Sequence, residues 1–247
     1  LLVICATAVV GAMGYSLGRL TGSVLVIGGP VGAYIASIIA AEVGSKIAGK
    51  TKIDILLTPL VTVLVGGVVA ILVAPPVGDF MIGIGNAINE ATVLSPIPMG
   101  IILSVAIGMM LTAPISSAAI CISLGLDGLA AGAATVGCTA QMIGFAAMSY
   151  RANGIGGWLS IGIGTSMLQF TNIVKKPLLW VPSIVASAIV GPLATTVFQM
   201  TNIKEGAGMG SSGFVGQIGT ISSMQGSEPL LNIILKMALV QFILPLI

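Results

Sequence analysis

Apolar residues fill this chain in long unbroken runs, separated by short polar or glycine-bearing stretches. Residues 55–78, 97–126, 128–150 and 177–203 hold no Asp, Glu, Lys or Arg. Each run exceeds the roughly 20 residues that a helix needs to cross about 30 Å of hydrocarbon. A transmembrane β-barrel would instead alternate apolar and polar positions over segments of about 10 residues. The runs are continuously apolar, so the pattern predicts membrane-spanning helices.

Eight spans are expected, at residues 1–17, 23–41, 55–77, 97–124, 129–150, 158–174, 178–200 and 230–247, the fourth broken by Pro114. Two polar, glycine-bearing interruptions stand out. Residues 78–95 carry Asn86, Asn89 and Glu90, and residues 204–226 are rich in Gly and Ser and lead to Glu228-Pro229. Clustered glycines disfavour helix. At membrane depth irregular backbone survives only when buried in protein or lining a wet cavity. The apolar insertions Met209, Phe214, Val215 and Ile218 point to a re-entrant element rather than a solvated loop. The expected fold is an all-α polytopic membrane protein of about eight transmembrane helices plus one or two re-entrant Gly-rich segments. It forms a single integral membrane domain over residues 1–247. The chain starts and stops inside apolar stretches without an initiating Met, so a longer protein is expected.

A weak internal similarity adds to this. Lys52-Ile-Asp-Ile-Leu-Leu-Thr-Pro59 resembles Lys175-Lys-Pro-Leu-Leu-Trp-Val-Pro182, and each opens a span leading to a Gly-bearing stretch that ends in Glu. Transporters are often built from such repeats, with the substrate at their interface. A two-repeat architecture with halves 1–125 and 126–247 is the expectation. Chance recurrence of Leu-Leu-x-Pro in an apolar chain is the alternative.

Composition supports the membrane setting. The chain is 56% hydrophobic and 6% charged, where a soluble domain carries about 25% charged residues. Positive charge in short loops stays cytoplasmic. Lys46, Lys50, Lys52, Lys175 and Lys176 are therefore expected inside, with Arg19, Arg151 and Lys204 on the other face by alternation. A net charge of +2 without a basic, aromatic-interleaved patch gives no footing for nucleic acid. The chain has no histidine, which excludes a Ser-His-Asp triad, a His-ligated metal and a phosphohistidine carrier. Cys5, Cys121 and Cys138 lack metal-like spacing and read as small core residues. No cofactor and no catalytic constellation are expected.

The chemistry that remains is a set of amides and carboxylates. A carboxylate is costly in a bilayer and usually pairs with or binds something. Amides both donate and accept, and carboxylates accept from paired hydroxyls, which suits a polyhydroxylated solute. Asn86, Asn89, Glu90, Gln141, Gln217 and Glu228 are the expected substrate contacts. Gln169, Asn172, Gln199, Asn202 and Gln225 read as structural. Lys236, alone in an apolar span, either snorkels or pairs with a carboxylate.

Ile88-Asn89-Glu90, followed by Ser95-Pro96-Ile97-Pro98, and Gly226-Ser227-Glu228-Pro229 resemble the substrate-site Glu motifs of the IIC membrane components of the bacterial sugar phosphotransferase system. Ala91 stands where the first motif has Pro, and the second is one residue short. The whole chain, above all residues 206–216, looks like the divergent branch that includes perfringolysin regulator-type membrane proteins. The resemblance implies a multi-pass, homodimeric permease of the bacterial plasma membrane. Its sugar would be phosphorylated by separate cytoplasmic phosphotransferase subunits, and Glu90 or Glu228 would accept hydrogen bonds from it. The expected function is binding and translocation of a small hydroxylated solute, a sugar. A non-transporting membrane sensor that controls gene expression, and an ion- or proton-coupled transporter, are the alternatives.

Overall fold

A computed structural model of the chain describes residues 29–50 and 53–246. The expected first span, the start of the second, Cys5, Arg19 and Lys52 lie outside the described residues. The elements are α1 (Gly29–Ile47), α2 (Asp54–Leu94), α3 (Pro96–Thr112), α4 (Ser117–Leu124) and α5 (Gly128–Leu159), then α6 (Phe170–Lys175), α7 (Val181–Thr196), α8 (Lys204–Ala207), α9 (Val215–Met224) and α10 (Leu230–Met237). Short 3₁₀ and π turns complete the chain, and no strand occurs among the described residues. The segments Asp54–Val73, Gly128–Gly164 and Pro177–Thr196 are long and apolar enough to cross a membrane, and Pro96–Thr112 and Leu230–Leu246 are shorter apolar helices.

The chain divides into two compact units, Leu1–Ile84 and Gly85–Ile247. In the first, small residues make the contacts. Ala36 and Ala70 are buried against Ala33 and Val69, and Gly44 lies so close to Thr62 that a Cβ there would meet its Oγ1 at 2.3 Å. Thr58 and Thr62 are buried while Ile55, Leu56, Leu60 and Leu64 are exposed. This inverts the soluble pattern. In lipid the large apolar side chains face outward, and helices associate through small residues and internal hydrogen bonds. The Thr62 hydroxyl is satisfied within its own helix, donating to the Thr58 carbonyl at 2.7 Å.

Helix α2 departs from expectation. Residues 78–94 are helical throughout and not a polar break. Intrahelical bonding satisfies the backbone there, so Gly78, Gly83 and Gly85 are tolerated inside the helix.

The second unit is built on α3, α5 and α7. A Cβ on Gly137 would lie 2.0 Å from the Ser104 carbonyl oxygen, and one on Gly191 would lie 2.4 Å from that of Gly100. Gly137 faces Ser104 and Gly108 faces Gln141, so α3 and α5 run parallel; Ser183 faces Gly144 and Ser187 bonds near Gly137, so α7 runs antiparallel. α5 is the central element, with 89% of its most apolar window buried. One end of the unit therefore gathers the N-termini of α3 and α5 with the C-terminus of α7. The other end gathers Arg151 and the Lys175-Lys176 pair. This corrects the expected alternation, which set Arg151 opposite those lysines.

The correction follows from residues 158–174, which do not form a span. Gly154 adopts φ 61° and ψ −159° and breaks α5. The chain then turns through a π turn at Ser160–Gly164, a 3₁₀ turn at Ser166–Gln169 and the short α6. Trp158, Ile161 and Ile173 all pack on Phe145 and Ala146, so the segment folds back beside α5 and returns to the end it left. Pro114 breaks the fourth expected span as predicted: α3 stops at Thr112, and α4 begins at Ser117 and leads toward Asn89.

Residues 202–224 form a second reversing segment, starting from the opposite end. Asn202 exchanges two backbone hydrogen bonds of 3.1 Å with Gly128. Further on, Thr135 Oγ1 donates to the Gly206 carbonyl at 3.4 Å, and Gly210 packs on Cys138 and Thr139. The chain turns through Gly210, Gly213 and Phe214, all with positive φ. It then comes back along α9, where Gly216 and Gly219 lie against Gly210 and Asn202, and Ser223 Oγ donates to Thr201 Oγ1 at 2.8 Å.

Candidate solute-binding site

The residues singled out by sequence occupy two levels of the second unit. Asn89, Glu90 and Asn86 lie on the last turns of α2. Asn89 Nδ2 donates to the Gly125 carbonyl at 3.1 Å, and its Oδ1 accepts from the Asp127 N–H at 3.3 Å. It thus caps the turn that opens α5. Asn86 and Glu90 are exposed, and neither makes a side-chain hydrogen bond among the described residues. Glu228 is half-buried and accepts a 2.5 Å bond from Lys236 Nζ. Lys236 also donates to the Phe198 carbonyl at 3.2 Å, one of the carbonyls left open beyond the end of α7. Of the two roles expected for Lys236, the structure shows the pairing. Among the described residues no hydrogen bond or ion pair joins Glu90 to Glu228. The Asn89 bonds to the Gly125–Asp127 turn and the Lys236 bond to Phe198 nevertheless belong to the same end of the unit, where α5 begins and α7 finishes.

Gln141 lies midway along α5 and is fully buried. Its Nε2 donates to Ser187 Oγ at 3.3 Å, and its Oε1 accepts from Trp180 Nε1 at 3.1 Å. Ser187 in turn donates to the carbonyls of Ser183 and Gly137. The Ser183 hydroxyl is buried without a partner. At this depth the two reversing segments meet: Ser211, fully buried, donates to the Gly162 carbonyl at 2.5 Å and lies 3.5 Å from Met142 Sδ.

Gln217 sits in the first turn of α9, just past the strained residue Phe214. It is 6% exposed. Its Nε2 donates to Gln241 Oε1 at 2.7 Å, while its own Oε1 is buried with no partner. Gln241 lies on a π turn, Ala238–Ile243, and reaches Thr220 Oγ1 at 3.5 Å. Asn202 is fully satisfied: Nδ2 donates to Thr135 Oγ1 at 2.6 Å and to the Gly216 carbonyl at 3.0 Å, and Oδ1 accepts from the Ile203 N–H at 2.7 Å. It ties the two limbs of the second reversing segment together, in keeping with its structural reading.

Sequence reasoning missed Gln241, Trp180 and Ser187. A lone amide five residues past Lys236, inside an apolar span, was the available signal for Gln241. Nothing in the spacing pointed to Ser187 or Trp180, which reach Gln141 only through helix packing. An open groove is lined by Ala147, Tyr150 and Trp158. No cluster of three or more His, Cys, Asp or Glu side chains that could hold a metal occurs among the described residues.

Apolar faces turned outward, glycine-mediated helix contacts and a buried chain of neutral amides define a helical integral membrane protein with a polar interior. The chain belongs to the family described as Phosphotransferase system, EIIC, whose family model matches residues 1–247. No curated protein and no solved structure matches it. Membership makes the chain a membrane-embedded transport component of the phosphotransferase system, with sugar as its class of solute.

Proposed function

We propose that the chain binds one small hydroxylated sugar in its second unit and passes it across the bilayer, acting as a single integral membrane domain. The observation that carries this reading is the meeting of two broken segments, entered from opposite ends of α5 and joined by Ser211 and Gly162. Discontinuous helices at the midplane are where transporters place their substrates, because their free N–H and C=O groups become ligand contacts. Residues 202–224 are then a re-entrant element. Gln141 and Gln217 serve the sugar at mid-depth, and Asn86, Asn89, Glu90 and Glu228 serve it at the end where it enters or leaves. Glu90, exposed and without a partner, is the carboxylate ready to accept from sugar hydroxyls. Glu228 already holds Lys236 through Oε1 and would accept from the sugar through its other oxygen.

The end bearing Arg151, Lys175 and Lys176 is the cytoplasmic one under the positive-inside rule, and separate cytoplasmic subunits would donate the phosphoryl group there. The working form is a homodimer in the bacterial plasma membrane. The test is reconstitution in liposomes with uptake of labelled sugars. Uptake that falls in Glu90→Gln supports the reading. Sugar binding without flux would favour a sensor instead, and flux driven by a pH gradient alone would favour ion coupling.

A further inference from the structure

Gln217 Oε1 is an orphan acceptor in a network whose other members are satisfied. The network has only one direction. The Gly216 carbonyl can only accept, and Thr220 Oγ1 lies 2.9 Å from it, so the Thr220 hydroxyl spends its proton there. Thr220 must then accept from Gln241 Nε2. That leaves Gln241 Oε1 to accept from Gln217 Nε2. The Gln217 amide is thereby held with its carbonyl oxygen as the open end of the chain. A free amide flips at little cost and offers a donor or an acceptor; this one offers an acceptor alone.

We infer that Gln241 is a positioning residue that makes the site selective for a hydroxyl donor on the solute at Gln217 Oε1. This rests on the proposed sugar site and extends it to a specificity rule. Two further features support the assignment. Gln241 sits on a π turn, a geometry frequent at functional sites. Gln217 follows a turn where Phe214 holds φ 59°, and backbone strain of this kind collects at ligand clamps. A buried carbonyl without a donor is costly, and a sugar hydroxyl removes that cost. A deoxy, keto or ether group at the same position does not.

The experiment is equilibrium binding to the full chain in detergent with tritiated D-glucose, D-galactose and D-mannitol, followed by the monodeoxy analogues of the tightest binder. The native protein should prefer the hydroxyl at one carbon position by about tenfold or more. Gln217→Leu should erase that one preference. Gln241→Leu should erase it too, with the affinity for the matching deoxy analogue unchanged. Gln241→Glu keeps an acceptor for Gln217 Nε2 and should retain the preference. If Gln217→Leu fails to fold, Gln217→Met, which keeps the length of the side chain and removes both polar atoms, should erase the same preference. An equal loss for every analogue in Gln241→Leu would mean a merely structural role and would overturn the inference. So would a hydroxyl preference that survives Gln217→Leu. Failure of the native protein to bind any of the three sugars would overturn the solute reading itself.

Discussion

Ser211 and Gly162 are joined by a 2.5 Å hydrogen bond from the serine hydroxyl to the glycine carbonyl, and both residues are buried. This bond links the turns of two segments that start from opposite ends of α5. Ser211→Ala would leave the Gly162 carbonyl without this partner, at a cost of about 1–3 kcal/mol. Thermal melting in detergent should show a lower Tm. An unchanged Tm would mean that the junction contributes nothing to the folded state.

The Glu228–Lys236 pair allows a second test. Its side chains are 29% and 25% exposed, so it is partly shielded from solvent. Removing one partner leaves the other charge poorly solvated. Lys236→Met and Glu228→Gln should each destabilise the protein, and the double variant should lose less than their sum. The coupling expected is about 1–3 kcal/mol, between exposed and fully buried pairs. Strict additivity in a double-mutant cycle would show that the two side chains do not interact.

Two glycines should respond in opposite ways to the same substitution. Gly137→Ala drives a methyl group into the Ser104 backbone and should force α3 and α5 apart, with sharply reduced yield of folded protein. A Cβ on Gly156 meets nothing within 4 Å. Gly156→Ala should be neutral or stabilising by up to about 1 kcal/mol, the usual helix preference for Ala. Size-exclusion profiles and melting curves read both.

Glu90→Gln separates binding from folding. The carboxylate is exposed and makes no hydrogen bond among the described residues, so stability should change by less than about 0.5 kcal/mol. Sugar binding should weaken by tenfold or more, as for the loss of a charge-assisted hydrogen bond. Asn89→Ala should instead lower stability, since Asn89 holds the Gly125–Asp127 turn. Native affinity in Glu90→Gln would remove Glu90 from the site.

The polar side chains of the candidate site stood out in the sequence. A carboxylate or amide in an apolar chain is conspicuous because its desolvation must be offset by a partner, and Gln141, Gln217 and Glu228 all proved to have one. Which partner each takes was not legible. Glu228 faces Lys236 eight residues away, within one local stretch. Gln141 bonds Ser187 and Trp180 across two helices, and no periodicity encodes that contact. The polar stretch 78–95 misled, because glycines and amides that suggest a break are also compatible with helix when the backbone is internally bonded.

The sequence by itself determined the solvent and the secondary structure. With almost no charge to face water, the chain must lie in lipid, and in lipid a backbone must bond within itself, which makes it helical. The path of those helices was decided only by tertiary packing. Hydropathy cannot tell a helix that crosses from a segment that enters and returns, since both are apolar. Gly154, Pro114 and the turn at residues 210–214 reverse the chain where close backbone contacts with α5 and its neighbours satisfy the groups left open. The same contacts carry Arg151 to the end of Lys175 and Lys176, and leave Gln217 Oε1 buried and unmatched.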